Sequence, residues 1–108
     1  MGITKTTGFT DEILVMTEML KAIGHPARLA ILQYLAEKEQ CMCGDLVAEL
    51  PLAQSTVSQH LAALKNAGLI KGNITGHNLC YCIDATQWNK MLQFLKNIPM
   101  SNPQEDCC

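Results

Sequence analysis

Gln54-Ser55-Thr56-Val57-Ser58-Gln59-His60 opens a segment of helical periodicity that continues to Ala67, and its polar positions decide the fold. Val57, Leu61 and Leu64 recur at the spacing of an inward stripe. With that stripe turned inward, the N-terminal half offers Gln54, Ser55, Thr56, Ser58, Gln59 and His60 to the outside. These are hydroxyls, amides and one imidazole, able to bond phosphate oxygens or base edges, with no carboxylate among them. An ordinary surface helix carries Glu and Lys in such places, so DNA contact is the favoured reading and a merely solvated face the competing one. Gly68 stands where a left-handed C-cap is expected. The start is weakly signalled, because Ala53 cannot cap and only Ser55 offers a side chain.

The flanking segments give this helix its setting. Before it, Gly44-Asp45 opens a short helix carrying Leu46, Val47 and Leu50, which Pro51 ends. After it, Leu69 to Ile74 and Leu79 to Ile83 read as strands around the loop Thr75-Gly76-His77-Asn78. Helix, turn, helix and hairpin in that order predict a winged helix-turn-helix: mainly α, with a small β-sheet whose hairpin is the wing. Further out, Thr10 with Asp11 and Glu12 starts a helix whose stripe is Ile13, Met16, Leu20 and Ile23. His25-Pro26 restarts the chain, and Leu29, Leu32, Leu35 and Ala36 carry a second helix to about Lys38. A last helix spans about Ala85 to Ile98, with Trp88, Leu92, Leu95 and Ile98 on one side. Residues 1–98 are thus expected to form one winged-helix DNA-binding and dimerisation domain, and 99–108 a flexible tail.

Length and charge agree with this reading. A chain of 108 residues has room for one core, and separate catalytic and substrate domains would not fit. The formal net charge is −2, yet no acid occurs between Glu49 and Asp84, a window that holds His60, Lys65, Lys71 and His77. Such a locally basic face can meet phosphates on an otherwise acidic protein. Lys65, Lys71 and His77 therefore join the candidate DNA contacts. No apolar run approaches a membrane span and no signal peptide is recognised, so a soluble cytoplasmic protein is expected. An enzyme is not: a thiol oxidoreductase would use Cys-x-x-Cys in a βαβ setting, and neither is present.

Six cysteines remain to be explained, four of them in the two Cys-x-Cys pairs Cys41-Met42-Cys43 and Cys80-Tyr81-Cys82. Cytosolic thiols are kept reduced, and Cys patterns there more often mean metal binding or redox sensing than a disulfide framework. If residues 41–43 form the short strand that pairs with the second strand of the hairpin, a period of two sends Met42 to one face and both cysteines to the other. The same rule turns Leu79, Tyr81 and Ile83 toward the core and Cys80 and Cys82 away. Strands lie about 4.8 Å apart, so Cys41, Cys43, Cys80 and Cys82 would share one face. Converging thiolates suit tetrahedral Zn(II) or Cd(II), or a three-thiolate As(III) or Sb(III) site. Oxidation to cross-strand disulfides and a purely structural role for the cysteines stay open beside metal binding. Cys107 and Cys108, on the tail, are candidate accessory ligands or a solvated vicinal pair.

His25-Pro26-Ala27-Arg28-Leu29, Ser55-Thr56-Val57-Ser58-Gln59-His60-Leu61 and Ala67-Gly68-Leu69-Ile70 together resemble the ArsR/SmtB family of metal-sensing repressors. The likeness extends over residues 11 to 98 or so. It implies a homodimer paired through the first and last helices, with the helix at 54–67 in the major groove of operator DNA and the hairpin beside the minor groove. It also implies release by a thiophilic effector such as As(III), Sb(III), Zn(II) or Cd(II), with no obligatory cofactor. In one respect the chain departs from the family. Counting back from Asp45-Leu46, the first cysteine of the family motif falls on Met42, and Cys41 and Cys43 straddle it. The family's other metal site, of carboxylates and histidines on the last helix, is not expected, since residues 85–98 contain neither.

Overall fold

In a computed structural model, residues 8–38, 41–43, 50–76 and 79–99 are described. Four helices and a three-stranded sheet occur among them: α1 (Asp11–Ile23), α2 (Pro26–Lys38), β1 (Met42–Cys43), α3 (Gln54–Asn66), β2 (Ile70–Asn73), β3 (Cys80–Ile83) and α4 (Ala85–Lys96). The short helix expected from Gly44 lies outside the described residues, except for Leu50 at its end. The tail from residue 100 onward and the hairpin tip at His77 lie outside them too.

Local chemistry sets the helix boundaries. The Thr10 hydroxyl accepts from the Ile13 amide at 3.1 Å, and Asp11 and Glu12 sit in the positive first turn of α1. Asp84 does the same for α4, its carboxylate accepting from the Gln87 amide at 3.2 Å. No side chain caps α3. Ala53 occupies the cap position, and Ser55, expected to serve, lies within the helix. Gly68, at φ 84°, makes the left-handed turn from α3 into the wing.

The sheet runs in the order β1-β3-β2, antiparallel throughout. Met42 lies opposite Tyr81 and Cys43 opposite Cys80, while Lys71 lies opposite Cys82 and Gly72 opposite Tyr81. The expected pairing of the short strand with the second hairpin strand is therefore present. Tyr81 is fully buried, and Met42, Leu79 and Ile83 pack against the core, as the alternation required. That core is built from Met16, Met19 and Ala22 of α1, Ile31, Leu32 and Leu35 of α2, Val57, Leu61 and Leu64 of α3, Leu69, Ile70, Tyr81 and Met91.

The apolar stripes of the outer helices are buried only in part. In α1 the buried set is Met16, Met19 and Ala22, and Ile13 and Leu20 are exposed. In α4 only Met91 is buried; Leu92, Leu95 and Ile98 are exposed and Trp88 is half-buried. Leu29 of α2 is exposed as well. These helices carry apolar residues on two faces, and a periodic pattern alone does not say which face the monomer buries.

Candidate nucleic-acid interface and thiol site

Helix α3 turns Val57, Leu61 and Leu64 into the core, which leaves Gln54, Ser55, Ser58 and Gln59 exposed and Thr56 partly so. Gln54 and Ser58 line a cleft of about 210 Å³ between α3 and the wing, whose other wall includes Ile74, Thr75, Gly76 and Leu79. Helix face and hairpin therefore present polar groups side by side. Lys65 ties the two together from the far end of α3, its Nζ donating to the Gly72 carbonyl at 2.6 Å. Gly72, at φ 118°, passes so close to β3 that a Cβ would lie 2.8 Å from the Tyr81 Cα and collide with the Cys80 carbonyl oxygen.

His60 corrects the expectation of an outward imidazole. It is 8% exposed, and its Nδ1 accepts from the Arg28 Nε at 3.1 Å. The same guanidinium donates to the Ala22 carbonyl at 3.2 Å, and the His25 ring stands 4.5 Å from the His60 ring. One side chain of α2 thereby joins the end of α1 to the middle of α3. Burial holds the His60 imidazole below its ordinary pKa, and electrostatic interaction with the neighbouring His25 and with the Arg28 guanidinium lowers it further. This neutral ring is a buried acceptor for Arg28, so it leaves the exposed set. Sequence reasoning missed the pairing because Arg28 and His60 are 32 residues apart and each has an ordinary local role.

The four strand cysteines do share one face, in two pairs. Cys43 and Cys80 lie with Cα atoms 4.1 Å apart and their sulfurs joined in a disulfide. Cys41 and Cys82 are free thiols, one exposed and one half-buried, and a hydrogen bond links them. That bond, then burial, pushes the Cys82 thiol up from its usual range, while the nearby Lys71 ammonium pulls the other way. Lys71 lines a cleft of about 370 Å³ with Cys41, Cys82, Leu35, Ala36, Ile83, Ala85 and Thr86. It therefore stands with the thiols, while remaining one of the candidate phosphate contacts of the acid-free window. Among the described residues no group of three or more His, Cys, Asp or Glu is gathered closely enough to hold a metal ion. With Cys43 and Cys80 bonded, Cys41 and Cys82 are the thiols left as donors among the described residues. Reducing that bond restores four soft donors to one face, the chemistry a thiophilic ion needs.

No helix among the described residues is long and apolar enough to cross a membrane. The family profile described as "Bacterial regulatory protein, arsR family" matches residues 25–71. Over 69 residues the chain is 44% identical to an HTH-type transcriptional regulator of Methanocaldococcus jannaschii, covering 62% of this chain and 76% of that one. It is 34% identical over 73 residues to a transcriptional repressor SmtB homolog of Synechocystis, covering 68% of this chain and just over half, 54%, of that relative. A solved ArsR-like transcriptional regulator from Rhodococcus superposes with a TM-score of 0.68 over 81% of both chains, at 22% identity, and shares the fold.

Proposed function

Since the chain belongs to the ArsR family of helix-turn-helix transcriptional regulators, and not to a family of enzymes, we propose that it is a dimeric repressor whose hold on operator DNA is set by the thiols of β1 and β3. The observation that carries DNA reading is the exposed, acid-free half of α3 standing beside the wing across one cleft. A major-groove helix needs short polar groups at its leading end, and Gln54, Ser55, Thr56, Ser58 and Gln59 supply them. The repressor relative from Synechocystis supports the direction of regulation. Exposed Ile13, Leu20, Leu92 and Leu95 on α1 and α4 support pairing of two copies through those helices.

The effector is read as a thiophilic metal or metalloid, As(III), Sb(III), Zn(II) or Cd(II), bound by Cys41, Cys43, Cys80 and Cys82. The support is their common face across adjacent strands. Ligation would fix β1 against β3, the middle strand of the sheet, and so alter how the wing and α3 meet the two grooves. Oxidation of the same thiols is a second reading, favoured by the bonded Cys43–Cys80 pair. The test is to select duplexes from a random library, then measure affinity for the selected site against salt, with reduced, oxidised and As(III)- or Zn(II)-loaded protein. The reading expects a steep loss of affinity with salt and weaker binding in one treated form. A duplex affinity indifferent to salt and to every thiol treatment would refute it.

A further inference from the structure

We propose that Cys41 and Cys82 form a reactive dithiol that takes a low-molecular-weight, anionic disulfide from the cleft beside Lys71 and closes to a second cross-strand disulfide next to Cys43–Cys80. The proposal rests on the thiol-oxidation reading above and names its reactant and its order of events.

Three observations place the site. Since Met42 lies opposite Tyr81 and Cys43 opposite Cys80, one further step along the strands sets Cys41 against Cys82. Both are free thiols, whereas the neighbouring Cys43 and Cys80 are already bonded to each other. Cys41 and Cys82 also line the cleft of about 370 Å³, with Lys71 in its wall beside the apolar surfaces of Leu35, Ala36 and Ile83. A cleft that holds two thiols, one cation and an apolar floor suits a small thiol compound bearing a carboxylate. The neighbouring pair already spans the same two strands as a disulfide.

The steps follow from what each sulfur faces. Cys41 is the exposed member and Cys82 the half-buried one, so Cys41 meets the incoming disulfide first and attacks it as thiolate. Its sulfur bonds to one sulfur of the incoming disulfide, the S–S bond breaks, and one thiolate departs with the electron pair. Cys82 then gives its proton to solvent and attacks the Cys41 sulfur, which expels the second thiolate. The protein loses two electrons and two protons, and the small disulfide becomes two small thiols.

The reduced full-length chain is incubated with oxidised glutathione, its remaining thiols are alkylated, and modified sites are mapped by mass spectrometry, with Cys107 and Cys108 scored apart. The expected product is a Cys41–Cys82 bond with no glutathione retained on either residue. Cys82→Ser should trap glutathione on Cys41, and Cys41→Ser should leave Cys82 unmodified. Lys71→Ala should slow the reaction with oxidised glutathione several-fold and leave that with uncharged hydroxyethyl disulfide unchanged; equal slowing of both overturns the anion-binding role of the cleft. Formation of Cys43–Cys80 alone, with Cys41 and Cys82 still alkylated, overturns the proposal and leaves the oxidation reading standing. If neither pair forms, that reading fails as well.

Discussion

Gly72 and His60 are two residues whose roles are set by close packing, and each gives a prediction. At φ 118° and against the backbone of Cys80 and Tyr81, Gly72 has neither the conformation nor the space for a side chain. Gly72→Ala should therefore destabilise the fold by about 1–3 kcal/mol, the range of a forced backbone position, and lower the midpoint of thermal unfolding. A midpoint unchanged within error would show that the wing relaxes freely. His60 predicts a pH dependence. Its native pKa lies below the unfolded value of about 6.5, so on acidification the unfolded chain takes up the proton first. Stability from this residue is thus full above about pH 7, falls as pH drops through the unfolded value, and levels off below the native one. His60→Gln, which keeps an acceptor for Arg28, should flatten urea-unfolding stability between pH 7.5 and 5.5 relative to the parent chain. Equal slopes in both would assign the dependence to other groups. Neither residue could be read from its neighbours in sequence. Gly72 lies in a segment whose pattern says only that it is a strand, and His60 read as one more polar group on an exposed face.

At the level of helices and strands, the sheet was the most readable part of the chain. A period of two leaves only two faces, so once Tyr81 was inside, Cys80 and Cys82 had to be outside, and the register of Met42 with Tyr81 completes the set. The helices were readable in extent and ambiguous in rotation, because α1 and α4 carry more apolar residues than one buried face needs. What the strand pattern could not give was the chemical state of the thiols, since two facing cysteines suit a bond, a metal or neither. Two predictions belong to these elements. Ser58→Ala or Gln59→Ala on α3 should each weaken binding to the selected operator by about 1–3 kcal/mol, without changing the thermal midpoint. Loss in neither variant would remove α3 as the reader. Cys80→Ser with Cys82→Ser should impair the As(III), Zn(II) or oxidant response as severely as Cys41→Ser with Cys43→Ser. A full response in the β3 double variant would return the role to β1 alone or with Cys107 and Cys108.

In the whole molecule, the apolar surface left on α1 and α4 is large for a chain of 11.9 kDa. Ile13, Leu20, Leu92, Leu95 and Ile98 are 39%, 37%, 41%, 38% and 44% exposed. Exposed apolar side chains of this kind are the material from which a pairing surface would be built. The expected outcome is a dimer at micromolar concentration by sedimentation, which Leu92→Glu with Leu20→Glu converts to a monomer. A parent chain that sediments at 11.9 kDa would refute it. Dimerisation also bears on DNA affinity, because two copies read two half-sites and a monomer loses the second set of contacts. The monomeric variant should therefore bind the selected site far more weakly while its α3 surface is unaltered.

The alternation along β1 and β3 has an evolutionary consequence. Met42 and Tyr81 support the fold from one side of the ribbon, and the cysteines lie on the other, half-buried on β3 and exposed at β1. A lineage can therefore lose, regain or exchange its thiols by point mutation while the interior stays as it was. A change of one residue in strand length is a different event. It would exchange the two faces in a single step, sending sulfurs into the interior and Met42 into water. The number of residues between α2 and β1 should accordingly be inherited more strictly than the identity of any one cysteine.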